Sequence, residues 1–170
     1  MSVLADRHLV LVGLMGSGKT TVGRAVAARL GRDFQDSDAL IEEQEGRTVR
    51  DIFATDGEPA FRALETAALR RSLAQAEPMV IAAAGGVVLR EENRAALHDS
   101  GARVVWLRAD PSVLVERVKS GQHRPLLDGD PEGTLRTMQE TREALYRDVA
   151  DAIVTVDNRS VSEVVEAVLR

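Results

Sequence analysis

The sequence contains no cysteine. Disulfides, thiolate zinc sites, iron–sulfur clusters and a cysteine nucleophile are therefore excluded. Aromatic residues are scarce: Phe34, Phe53, Phe61, Trp106 and Tyr146 are all there are in 170 residues. That argues against a base-stacking platform for single-stranded nucleic acid. Nor is there an excess of positive charge. Lys and Arg number 22 against 27 Asp and Glu, leaving a net charge of −5, so the basic footprint of a nucleic-acid partner is missing. No HxxxH spacing links His8, His98 and His123, which argues against a histidine metal site. The longest apolar or glycine run, Met79–Leu89, falls short of the roughly 20 residues that span a bilayer. The start, MSVLADRHLVLVG, shows no basic region followed by a cleavable apolar segment, so an untargeted cytoplasmic protein is the expectation. Lysine is rare as well: Lys19 and Lys119 stand beside 20 arginines, which makes a lysine inside a motif the more telling.

What is present is ordinary globular composition, 44% hydrophobic and 29% charged. The length fits one domain, 1–170, able to bury a core without staples. A monomer is the default at this size. Short apolar runs alternate with longer amphipathic stretches. The expected strands are His8–Val12, Asp33–Gln35, Met79–Ala83, Ala102–Leu107 and Ala152–Val156. Between them the spacing predicts helices over Thr21–Leu30, from Thr48 through Phe53, and over Glu58–Ala76 and Glu91–His98. Further helices are expected from Asp110-Pro111 to about Lys119, over Thr134–Val149, and after a Ser160/Glu163 capping box. Ser120–Gly133 is rich in Gly and Pro and reads as a loop and a lid. Strands that are apolar throughout, separated by helices, indicate a parallel sheet covered on both faces. The fold class is α/β, three layers around about five parallel strands.

Gly13-Leu14-Met15-Gly16-Ser17-Gly18-Lys19-Thr20 fits GxxxxGK[ST], after an apolar strand and before a helix. Glycines let successive main-chain N–H groups turn inward on phosphates. The helix N-terminus adds the positive end of its dipole. Lys19 can reach the β/γ-phosphates, and the Thr20 hydroxyl can ligate Mg²⁺. A nucleotide is the implied ligand; the motif does not name an acceptor.

Asp36-Ser37-Asp38 lies just past the second expected strand, at the edge where open α/β sheets bind ligands. Phosphoryl transfer needs a carboxylate near Mg²⁺ and often a second to accept the acceptor's proton. Asp36 suits the first role and Asp38 the second; alternatively, one of them caps the next helix and the other is solvated. Arg62 and Arg142 lie in long helices, and Arg117 and Arg124 in or beside the lid. Their planar forks suit carboxylate and phosphate, but any single arginine among 20 is more often a solvated surface group. Gly85-Gly86 after a buried strand permits close backbone approach to a ligand, or simply ends the strand.

Taken together, the pieces resemble the shikimate kinase family over nearly the whole chain. They are GLMGSGKTTVGR (13–24), FQDSD (34–38), GRTVRDIFATDGEPAFRALE (46–65), GGVV (85–88), RPLL (124–127), REALYRDVA (142–150) and VDNR (156–159). The resemblance implies a P-loop kinase fold with a lid at about 120–133 and a mobile substrate-binding region at about 36–65. The implied reaction moves the ATP γ-phosphate, with Mg²⁺, to the 3-hydroxyl of shikimate, on the route to chorismate and aromatic amino acids. By resemblance, Lys19, Asp38 and Arg124 are catalytic. Asp38 holds the acceptor hydroxyls and takes the proton, and Arg124 reaches the phosphates as the lid closes. Gly13, Met15, Gly16, Ser17, Gly18, Lys19, Thr20, Thr21, Arg117, Arg124 and Arg159 bind the nucleotide. Asp38, Phe53, Phe61, Arg62, Gly85, Gly86 and Arg142 bind shikimate, the two arginines gripping its carboxylate. Thr20 and Asp36 serve the metal. The family usually has three glycines where this chain reads Ala84-Gly85-Gly86, and a methyl at Ala84 requires that its φ not be positive. The rival readings are a kinase of another small hydroxy acid such as gluconate, and a nucleotide-binding module without catalysis. The first should not need the FRxxE and RxxLY arginines in this arrangement, and the second has no use for Asp38 and Arg124.

Overall fold

The computed structural model describes residues 4–119, 127 and 129–170. Five strands form one wholly parallel sheet: β1 Leu9–Val12, β2 Phe34–Asp36, β3 Val80–Ala82, β4 Arg103–Arg108 and β5 Ala152–Thr155. Their order is β2-β3-β1-β4-β5, with Leu9 opposite Val80 on one side of β1 and opposite Arg103 on the other. Every residue of β1 and β3 is buried, as expected for central strands covered on both faces. The helices are α1 Lys19–Leu30, α2 Ser37–Glu45, α3 Val49–Asp56, α4 Glu58–Leu73, α5 Glu91–Asp99, α6 Pro111–Lys119, α7 Pro131–Val149 and α8 Val161–Leu169. One main core runs under the sheet and its helices. A second, smaller core of Ile41, Ile52, Phe61 and Ala68 holds α2, α3 and α4 together.

Several boundaries differ from the sequence expectation, each for a local reason. α1 begins at Lys19 rather than Thr21, so the motif's Lys and Thr form its first turn. α2 was not expected; Asp36 caps it by accepting the Ala39 N–H, and Gly46 ends it in the left-handed region. α3 runs on to Asp56, where Gly57 turns the chain at φ 85°. α4 stops at Leu73 instead of Ala76: the Ala74 N–H still donates to Arg70, but the Gln75 N–H turns back to Ser72 in a tighter turn. The expected loop over Ser120–Gly133 ends early. Asp130 accepts the Gly133 N–H and starts α7 at Pro131, so that proline and glycine sit in a helix's first turn. A Cβ at Gly133 would collide with the Asp130 carboxylate. The Ser160/Glu163 capping box is present in full.

Candidate active site

The phosphate loop hangs between β1 and α1, at the C-terminal end of the central strand. Gly13 leaves the strand at φ 148°, and a Cβ there would lie 2.6 Å from the Leu107 carbonyl oxygen of β4. Dihedral angle and room both demand glycine. Gly18, at φ 97°, is the N-cap of α1, and no side chain caps that helix. The helix start therefore offers main-chain N–H groups with no side chain competing for an anion. Lys19 Nζ donates to the carbonyl oxygens of Gly13 and Leu14 at 2.7 and 3.0 Å, folding the amine back over the loop. From the last turn of α6, Arg117 donates to the Gly16 carbonyl at 3.1 Å.

Thr20 Oγ1 donates to Asp36 Oδ2 at 2.5 Å, while Asp36 Oδ1 accepts the Ala39 N–H at 3.1 Å. One oxygen of Asp36 thus caps a helix, the alternative left open between Asp36 and Asp38, while the other faces the threonine of the phosphate loop. Asp38 follows in the first turn of α2 and is half-buried.

Arg62, on α4, is buried. Its Nη1 donates to Glu65 Oε1 at 2.6 Å, and its Nη2 to Glu58 Oε1 at 3.0 Å. Burial alone would lower the Arg62 pKa; its two carboxylate partners outweigh that and hold it above the ordinary value. Glu65 is only 2% exposed, and burial pushes its carboxyl up, with Arg62 pulling the other way. Asp38 adds to the upward push and Arg142 opposes it, so these four groups share one electrostatic environment. Arg142 is buried on α7. The Gly85-Gly86 turn has no positive φ; there Gly86 supplies space instead, while Gly85 would accept a Cβ at ordinary contact distance. A Cβ at Gly86 would overlap the Arg62 guanidinium, and one at Gly85 would sit 3.5 Å from Gly13 O and Met15 N. Asn158 is the one described non-glycine residue with positive φ, so Ala84 keeps its place without backbone strain.

A single cavity of about 730 Å³ unites these parts. The phosphate loop from Met15 to Thr21 lines it, with Asp36, Arg117 and Arg159. So do Asp38, Phe53, Phe61, Arg62, Gly85, Gly86 and Arg142, with the two phenylalanine rings 4.7 Å apart. Gly13 does not line the cavity; it lies beneath the loop against β4. Arg124, and with it residues 120–126 of the expected lid, lie outside the described residues. The sequence reading gave no role to Glu65, Arg24, Arg50 or Val161, which also line the cavity. The signal for Glu65 was its i+3 spacing from Arg62 on one helix. Nothing local marked the others.

A parallel five-stranded sheet with a glycine-rich phosphate loop at the end of its central strand is the fold of the P-loop small-molecule kinases. The family model for shikimate kinase matches residues 15–170. Shikimate kinase of Symbiobacterium thermophilum is 48% identical over 165 residues, covering 95% of this chain and 94% of that protein. The chain belongs to the shikimate kinase family. Among solved structures, shikimate kinase from Acinetobacter baumannii in complex with shikimate is 35% identical with a TM-score of 0.92, covering 98% of this chain and 92% of that one. A gluconokinase from Sinorhizobium meliloti is similar at 28% identity and a TM-score of 0.65, covering 96% and 90%. It shares the fold at a greater distance.

Proposed function

We propose that this protein is a shikimate kinase. It transfers the ATP γ-phosphate to the 3-hydroxyl of shikimate, giving shikimate 3-phosphate and ADP. One observation carries the reading: the phosphate loop opens into the same cavity as two buried arginines and Asp38. A buried cation needs an anion. Arg62 already has Glu65 and Glu58, and a substrate carboxylate suits the remaining fork positions of Arg62 and Arg142. A polyol acid fits that pair together with a hydroxyl-reading carboxylate.

In this reading Asp38 accepts the proton of the 3-hydroxyl as its oxygen bonds to the γ-phosphorus. The bond from that phosphorus to the bridging oxygen breaks, and ADP leaves. Lys19 moves from the loop carbonyls to the phosphate oxygens and neutralises charge as it spreads. Thr20 and Asp36 are hard oxygen donors side by side, which fits Mg²⁺. Among the described residues no cluster of three or more acidic, His or Cys side chains exists to cage a metal. An ion taken up with the phosphates and its own waters matches that donor set. There Mg²⁺ would screen the β- and γ-phosphate oxygens. Arg124 and the lid would exclude water, the competing acceptor. Among the described residues no helix is long and apolar enough to cross a membrane.

The test is ADP release with Mg²⁺ and ATP across shikimate, gluconate, AMP and no acceptor. Turnover with shikimate alone is the expected result. Turnover with gluconate instead would keep the phosphate site and discard the acceptor assignments.

A further inference from the structure

Tyr146 stands one helical turn past Arg142 on α7, on the same face of that helix. Its side chain is fully buried, and its ring stacks on Trp106 with centroids 5.4 Å apart. As packing alone, phenylalanine would serve. The hydroxyl does something more: it donates to the Gly85 carbonyl oxygen at 2.5 Å. Burial pushes the phenol up to about 12 against the pull of Arg142, so it stays a neutral donor at working pH.

The residue after that carbonyl is Gly86, whose α-carbon faces the Arg62 guanidinium so closely that a Cβ would overlap it. α7 therefore reaches the arginine pair twice. It carries Arg142 itself, and through Tyr146 it holds the turn against which Arg62 lies. We propose that Tyr146 is a positioning residue for acceptor binding: its hydroxyl fixes the Gly85 carbonyl, keeping Gly86 where Arg62 has room and the two guanidinium forks in register. The proposal rests on the acceptor reading above. It assigns Tyr146 no contact with substrate.

The decisive variant is Y146F, which keeps the ring and removes the donor. Losing one buried hydrogen bond that sets a charged group is worth about tenfold in affinity. We expect the Kd and KM for shikimate to rise about tenfold, with kcat and the Kd for ATP within about twofold. Unchanged shikimate affinity would overturn the proposal, whatever happens to Tm. So would an equal loss for both substrates, since that is general loosening. Tyr146 is the only tyrosine, so growth on 3-fluorotyrosine places a single ¹⁹F label on this ring. Its resonance should move on adding shikimate and not on adding ADP; a resonance indifferent to shikimate contradicts the proposal even where Y146F fails to fold. Wild-type turnover separates this idea from the one beneath it. If wild type does not phosphorylate shikimate, the acceptor reading falls, and the crystal structure of unliganded Y146F decides positioning by itself. A displaced turn and Arg62 support it; an unmoved turn refutes it.

Discussion

The phosphate loop and the acceptor wall share a cavity but rest on different foundations. The loop is one continuous segment between β1 and α1, anchored in the main core, and it works through main-chain groups. Its side chains matter at few positions: Lys19, Thr20 and the glycines whose dihedral angles or space admit no other residue. The acceptor wall is made of side chains brought from α2, α3, α4 and α7 and held partly by the small core around Ile41, Ile52 and Phe61. Its cations are buried, so each needs a carboxylate partner or a well-placed neighbour. A site built from backbone is specified within a dozen residues. A site built from buried charges is specified only by the packing that pairs them.

That contrast can be broken by experiment, and the largest effect belongs to the loop. Lys19→Ala should lower kcat by about 10²–10³-fold, the size seen when one preorganised charge on a developing anion is removed. Steady-state ADP release measures it, and near-normal turnover would mean that the loop does not carry the chemistry. Gly86→Ala comes next. Its new methyl needs the space that Arg62 occupies, so the guanidinium must shift. The KM for shikimate should rise about tenfold with the KM for ATP nearly unchanged, a loss of the order of one hydrogen-bonded charge contact. If ATP binding weakens as much, the two halves are less separate than the structure suggests.

The smallest effect is a pH slope. The Glu65 carboxyl is raised above its unfolded value of 4.5, so in the window from 4.5 up to the raised folded value the native state holds more protons than the unfolded one. Glu65 therefore contributes stability that falls as pH rises through that window. Glu65→Gln removes this contribution, so urea stability should climb more steeply with pH there than in wild type. Identical slopes in the two proteins would show that the Glu65 carboxyl is not raised. Such a result would weaken the contrast between a backbone site and a buried-charge site.

Most of the architecture was legible in the chain. Apolar strands, glycine stops and capping residues placed all five described strands and seven of the eight described α-helices to within a few residues. The short β2 was offset by one. α2 was missed because its start depends on one oxygen of Asp36, the other being turned to Thr20. Pro131 and Gly133 suggested loop and proved to be the first turn of α7, where a missing N–H costs nothing and a missing Cβ makes room for Asp130. In the site, the phosphate loop could be read directly. Choosing Arg62 and Arg142 from 20 arginines took the family resemblance, because nothing in their local sequence distinguishes a buried arginine from a solvated one.

The sequence by itself determined the α/β alternation, the phosphate loop and its place between strand and helix, since these follow from periodicity and from dihedral freedom within a few residues. Only the tertiary structure decided that Gly86 makes room for Arg62, that Glu65 balances Arg62 as a buried pair, and that Tyr146 reaches Gly85. The first and last of those contacts join residues far apart in the chain, and the Arg62–Glu65 pair, neighbours on one helix, is buried only by what packs over it. Their energies depend on burial, which a sequence window does not contain.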